Sequence, residues 1–323
     1  MFRGSQGGGG AGDETGVPRI LKMPEPGLIC VFPRRTKATP DDRRAFVGEP
    51  PLPGMRPPAV GVWKIHVSVA FTWDLPRAWR LREEWQAAYP CAHVLVGGPA
   101  LGGPPPGEFT PGLYLKPGYI ITSRGCPNRC PFCSVPDREG PWRRLAIKDG
   151  WDVLDNNLLA GPPDHVCAVL DMLGRQPHPA RFTGGLEAAR VTPEWAKRIA
   201  ALRLGAAYTA YDRPAQKAAV ERAVNLLLDA GGWCNGTGRR KIGVYVLVGY
   251  AGDTEREAIR RLEWVKSLGV TPFPMIYRPP EKRKDPMQEA LKRQLRRWMR
   301  PTSIWSTNKK FTLPGGTFRS VKA

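Results

Sequence analysis

Apolar and polar positions repeat in two blocks along this chain, and each block changes between a two-residue and a helical period. From Gly27 the run Leu28, Ile29, Cys30, Val31, Phe32 reads as a buried strand. The stretch from Pro33 to Pro58 is punctuated by Pro50-Pro51 and Pro57-Pro58. Proline there removes backbone donors and excludes a helix, so an irregular excursion is expected. Ile65, Val67, Val69 and Phe71 alternate as a strand that runs into Thr72-Trp73-Asp74. Leu75, Ala78, Trp79, Leu81, Trp85 and Ala88 then fall at helical spacing and predict a helix over Leu75 to Tyr89, with Asp74 as its cap and Pro76 in its first turn. Val94-Leu95-Val96 is a further strand, closed by Gly97-Gly98-Pro99. Strand, helix, strand in this order predicts a small parallel α/β domain.

A proline-glycine cluster over 102–112 reads as a linker, and the second block is more regular. A strand is expected at Tyr119-Ile120-Ile121, then one near Asp152 to Leu159 and a helix from Pro163 to Leu173. A strand at Arg181 to Thr183 precedes a helix from Pro193 to Leu202, and a strand at Ala206 to Ala210 precedes a helix from Pro214 to Ala230. The strand Ile242 to Gly249 and the helix Thr254 to Leu268 follow, with a last strand at Phe273 to Tyr277. Six strand units are too few for a closed eightfold barrel. They suit an α/β fold in which a partial (β/α)6 TIM-type barrel follows the small parallel α/β domain, with its site at the strand C-terminal ends. The expected division is a disordered tail at 1–16, the first domain at 17–101, the linker at 102–112, the barrel at 113–280 and a basic helix and tail at 281–323.

Composition changes this picture in two places. The formal charge of +20 favours a polyanionic partner, with salt-dependent binding, yet the arginines are spread along the chain and solvated helix faces account for much of the excess. Only near the C-terminus do Lys282-Arg283-Lys284, Lys292, Arg293, Arg296, Arg297 and Arg300 concentrate, opposite Leu291, Leu295, Trp298 and Met299. That amphipathic helix could cover the barrel or touch nucleic acid. No apolar run has the length of a membrane span, and Gly7 to Gly10 stand where a signal peptide needs an apolar block, so a cytoplasmic protein with no membrane partner is expected. Cys30, Cys91, Cys167 and Cys234 are isolated and read as reduced, buried, structural thiols.

The other three of the seven cysteines fall within eight residues, Cys126-Pro127-Asn128-Arg129-Cys130-Pro131-Phe132-Cys133. Thiolates are soft ligands suited to iron-sulfur clusters and zinc. Zinc sites usually come as two separated Cys-x-x-Cys pairs, and neither Cys167 nor Cys234 has a paired neighbour; a structural zinc is the alternative to an iron-sulfur centre here. Three thiolates on a four-iron cluster leave one iron open for chemistry.

The pattern Cys126-x-x-x-Cys130-x-x-Cys133, with Gly125 and Pro127 about its first cysteine and Phe132 before its last, resembles the signature of the radical S-adenosylmethionine (radical SAM) superfamily. The resemblance implies a 4Fe-4S cluster on Cys126, Cys130 and Cys133 that binds S-adenosyl-L-methionine. Reductive cleavage to methionine and a 5′-deoxyadenosyl radical would then act on an unassigned substrate, a nucleic acid or a peptide, with a flavodoxin- or ferredoxin-like protein as electron donor. The alternative function is a non-catalytic iron-sulfur or zinc module that binds nucleic acid through its basic surface.

Carried over residue by residue, the resemblance covers roughly Leu115 to Arg278. It places Phe132 beside the adenine. Where many members have Gly-Gly-Glu against the methionine amino group, this chain has Asp155-Asn156-Asn157, whose amide oxygens on Asn156 and Asn157 could accept from an ammonium group. In Gly184-Gly185-Leu186-Glu187, after the third strand, Glu187 is a candidate for the ribose, and Arg190 for the carboxylate or else a surface arginine. Tyr208, Tyr211 and Asp212 end the fourth strand and either face substrate or cap the helix that Pro214 begins. Val246 to Gly249 resembles the segment whose backbone meets adenine, with Gly249 allowing close approach or simply making a turn. The first domain resembles the degenerate cobalamin-binding-like domain of one branch; a histidine-ligated cobalamin would need Asp-x-His-x-x-Gly, which is lacking around His66, His93, His165 and His178.

Overall fold

The computed structural model describes residues 27–101, 110–231, 241–250, 252–278, 295, 312–313 and 316–317. The expected disordered tail at 1–16, most of the linker, Cys234 and nearly all of the basic helix lie outside these residues.

The first block forms a four-stranded parallel sheet in the order β2-β1-β3-β4, with β1 Leu28–Phe32, β2 Ala45–Val47, β3 Lys64–Ser68 and β4 His93–Gly97. Helix α1, Leu75–Ala88, packs Ala78, Leu81 and Trp85 against Ile29, Val31, Ile65, Val67 and Val94. The proline-rich excursion is not wholly irregular: Ala45, Phe46 and Val47 pair with β1, since the chain between two proline clusters is free to donate to a sheet edge. Asp74 does not cap α1 through its side chain. Its carboxylate is buried and takes two hydrogen bonds from Arg34, which consumes the oxygens a cap would need. Leu113 and Tyr114 pack on the other face of β1, against Leu28, Cys30 and Phe32, before the chain enters the second block.

The second block is a six-stranded, all-parallel sheet of β5 Tyr119–Ile120, β8 Asp152–Val153, β9 Ala180–Leu186, β10 Leu204–Tyr211, β11 Ile242–Val248 and β12 Thr271–Ile276. Its strands stand in chain order. Among the described residues β5 and β12 do not pair with each other, so the sheet is open. Helices α3 (Pro163–Gly174), α4 (Pro193–Ala201), α5 (Lys217–Gly231) and α6 (Glu255–Ser267) bury their apolar stripes on one face. Val153, Phe182, Ala207, Val244 and Val246 point into that layer, as does Leu295, a helical residue of the C-terminal region buried in this core. The alternate residues form the other face, where Tyr208 stacks on Tyr245 at 4.8 Å with Phe273 edge-on at 5.2 Å, and Arg181 pairs with Asp152.

Two strands differ from the periodicity reading. β8 ends at Val153, because Asp155, Asn156 and Asn157 turn their side chains to other partners; Leu158–Ala160 then form a short 3-10 turn. β9 extends through Gly184 and Gly185 to Leu186, so the glycine pair lies inside the strand. A Cβ on Gly184 would stand 2.3 Å from the carbonyl oxygen of Asp155, and its absence lets the two segments close up. Of the isolated cysteines, Cys30 is buried as expected, whereas Cys91 is exposed because it sits in the turn before β4.

Candidate functional site

After β5 the chain enters a loop closed at its base by an antiparallel pair, β6 Ser123–Arg124 with β7 Arg143–Arg144. The short helix α2, Val135–Glu139, lies within it. Gly125 makes the entry, at φ +78° and with a Cβ position only 2.1 Å from the Pro141 carbonyl, so no side chain fits there. Cys126 N–H donates to the Gly140 carbonyl and Cys133 N–H to that of Cys130, which fixes the loop backbone at its first and last cysteines. Burial pushes the Cys130 and Cys133 thiols up. Each is pushed further by Cys126 and by Asp212, so the sulfurs lie within electrostatic reach of one another.

The loop rests on a buried carboxylate. Asp155 accepts from the Thr122 N–H at 2.6 Å, the Thr122 hydroxyl at 2.5 Å and the Ser123 hydroxyl at 2.7 Å. It thus ties the start of the cysteine loop to the turn after β8. Arg124 and Glu139 form a half-buried ion pair at 3.5 Å, and Asn156 donates to the same Glu139 at 2.8 Å. Asn156 therefore braces α2.

Asn157 takes a different position. Its Nδ2 donates to Cys126 Sγ at 3.5 Å and to Glu187 Oε2 at 2.6 Å, while its Oδ1 is buried with no protein hydrogen-bond partner. Glu187 follows β9 and also accepts from Arg190 at 2.7 Å and from the Asn128 side chain. Burial, the largest single influence, opposes its ionisation, but the hydrogen bonds of Asn157, Asn128 and Arg190 together hold the carboxyl below the usual carboxylate range. Phe132 meets the Tyr250 ring edge-on at 5.6 Å, beside Gly249, whose N–H donates to Asp253 and whose φ is +81°.

The expected residues thus gather as Cys126, Asn157, Glu187 and Arg190 on one side and Phe132 with Gly249 on another. Asp212 lies near the thiols, and burial raises its carboxyl to about 6. It does not cap the following helix, because the Gln216 side chain accepts from the Asp212 and Arg213 N–H groups. Tyr211 turns to the helix layer against Trp264, and Tyr208 lies on the opposite face of the sheet. Sequence reasoning missed Asn128 and Glu139 and the supporting role of Asp155. The one available signal was the spacing of Asn128 between two thiols.

A single zinc ion needs each thiolate sulfur about 2.3 Å away, so its sulfurs crowd one point. Among the described residues no group of three or more His, Cys, Asp or Glu side chains is placed to hold a metal ion. A four-iron cluster takes one thiolate per iron, and Cys126, Cys130 and Cys133 are donors of the type it uses.

No protein-family model and no curated protein matches the chain. Among solved structures it is similar to TsrM, a radical S-adenosylmethionine methyltransferase from Kitasatospora setae with cobalamin and a 4Fe-4S cluster bound. That likeness has a TM-score of 0.49 and 14% identity, over 77% of this chain and 74% of the other.

Proposed function

We propose that the chain is a radical SAM enzyme whose Cys126, Cys130 and Cys133 hold a 4Fe-4S cluster above the C-terminal ends of a partial barrel. The observation that carries this reading is Asn157: a buried acceptor, Oδ1, with no protein partner, set between a cysteine sulfur and the Glu187 carboxylate. A buried, unpaired acceptor costs about 1–3 kcal/mol and marks a place where a donor belongs. The ammonium group of S-adenosyl-L-methionine is such a donor, with Glu187 as counter-charge, and Arg190 stands by for the carboxylate. Phe132 and Tyr250 offer aromatic surface for the adenine, and Gly249 leaves its side open.

When bound and reduced, a 4Fe-4S cluster held by Cys126, Cys130 and Cys133 would supply the one electron needed for reductive cleavage of S-adenosyl-L-methionine and so for hydrogen-atom abstraction from a substrate. The protein orients the cofactor through Asn157, Glu187 and Arg190 and keeps water away with the surrounding aromatic rings. Its electron donor is proposed to be a flavodoxin- or ferredoxin-like protein, and its substrate a nucleic acid or a peptide. Among the described residues no helix is long and apolar enough to cross a membrane.

Anaerobic reconstitution with iron and sulfide, followed by dithionite and S-adenosyl-L-methionine, should release 5′-deoxyadenosine. A reconstituted protein that leaves the cofactor intact would overturn the reading. Cys130→Ala should lose the cluster, and full iron retention in that variant would show the ligands to be misassigned.

A further inference from the structure

We propose that Asn157 is a positioning residue that raises the reduction potential of the iron-sulfur centre through a hydrogen bond to Cys126, held in a fixed orientation by Glu187. This rests on the reading that Cys126 is a cluster ligand. A side-chain amide has two N–H donors on one nitrogen and an oxygen that only accepts. Here the nitrogen serves Cys126 Sγ at 3.5 Å and Glu187 Oε2 at 2.6 Å. Rotating the amide by half a turn would bring Oδ1 against the Glu187 carboxylate and the sulfur, acceptor against acceptor, so that orientation is excluded while Glu187 is ionised. Glu187 is kept ionised by its three donors, Asn157, Asn128 and Arg190. The carboxylate therefore acts as a lock on the amide.

A donor aimed at a ligating sulfur withdraws electron density from the cluster and favours the state with one more electron; hydrogen bonds to sulfur are among the main settings of such potentials. The 3-10 turn at Leu158–Ala160, with Leu158 and Leu159 buried in the core, fixes the backbone from which the Asn157 side chain reaches. Asn157 lies 31 residues from Cys126 and is brought to it by the pairing of β5 with β8 and by the Asp155 carboxylate. The donor thus belongs to the fold and does not depend on the loop's own conformation.

The test is a redox titration of the full-length reconstituted protein, followed by electron paramagnetic resonance, for wild type, Asn157→Leu and Asn157→Asp. At the potential that half-reduces the wild-type cluster, the Asn157→Leu ratio of reduced to oxidised cluster should fall about tenfold, equivalent to about 59 mV for one electron. Asn157→Asp, which is of the same size but has no N–H to give the Cys126 sulfur, should fall by at least as much. If the leucine variant fails to retain iron, the aspartate variant alone decides. A merely structural role for Asn157 would leave the ratio within twofold of wild type in any variant that binds a full complement of iron, and that result overturns the inference. A wild-type chain that assembles no cluster overturns instead the reading on which it rests.

Discussion

Asp155 is an ionisable group buried beneath the cysteine loop. Burial holds its carboxyl above the usual carboxylate range, against the opposing pull of the Thr122 and Ser123 hydrogen bonds. With a raised value in the folded state, the native protein keeps a proton that the unfolded chain has already released. Its contribution to stability is therefore full below the ordinary carboxylate range and is lost as pH rises through the raised folded value. Asp155→Asn should flatten that decline, as read by urea denaturation at several pH values between 4 and 7; a slope as steep as that of wild type would contradict it. Cys30 and Cys91 make a second contrast at this scale. Burial, and to a lesser degree Asp42, push the Cys30 thiol up to about 12, whereas Cys91 is exposed. Iodoacetamide at pH 8 should alkylate Cys91 in the native protein and reach Cys30 only on unfolding, because the thiolate is the reacting species.

Among the elements, β9 shows how one missing side chain sets the distance between a strand and the turn beside it. Gly184→Ala would place its methyl 2.3 Å from the Asp155 carbonyl oxygen and 2.7 Å from the Leu154 carbonyl carbon. Backbone must move, so a loss of about 1–3 kcal/mol is expected from the denaturation midpoint. The glycine pair also shows where legibility in the sequence ended. Helices α3, α4 and α6 and strands β1 and β11 could be read to within a residue or so, because their periodicity and their prolines or capping threonines agree; Thr254 and Glu257, for example, form a reciprocal cap on α6. β8 could not, since the residues that end it are polar groups engaged with partners more than fifteen positions away. The position of the cysteine loop, directly after β5, was legible. Its supports were not, because Asp155, Glu139 and Asn128 act through contacts that only the folded sheet creates. Asp74 failed as a cap for the same reason: Arg34, forty positions earlier, claims its carboxylate.

For the whole molecule, side-chain contacts join the two blocks. Arg138, on α2, donates to the Pro99 carbonyl at 2.6 Å, just past β4, and Arg278, after β12, lies 4.6 Å over the Trp73 ring. Arg138→Ala should remove a charge-assisted hydrogen bond worth about 1.5–3 kcal/mol. The first block should then unfold at a lower denaturant concentration than the second, monitored by Trp85 and Trp264 fluorescence through single-tryptophan variants; coincident transitions would show that other contacts carry the coupling. Strand order has a further consequence, in the time order of synthesis. In the large sheet β8, β9, β10, β11 and β12 each join the strand made immediately before in that sheet, and in the small one β2, β3 and β4 join β1 or β3 at a free edge. Among the described residues no strand of either sheet is inserted between two earlier ones. A chain emerging from its N-terminus can therefore be paired in the order in which it is made, with no earlier pairing broken to admit a later strand.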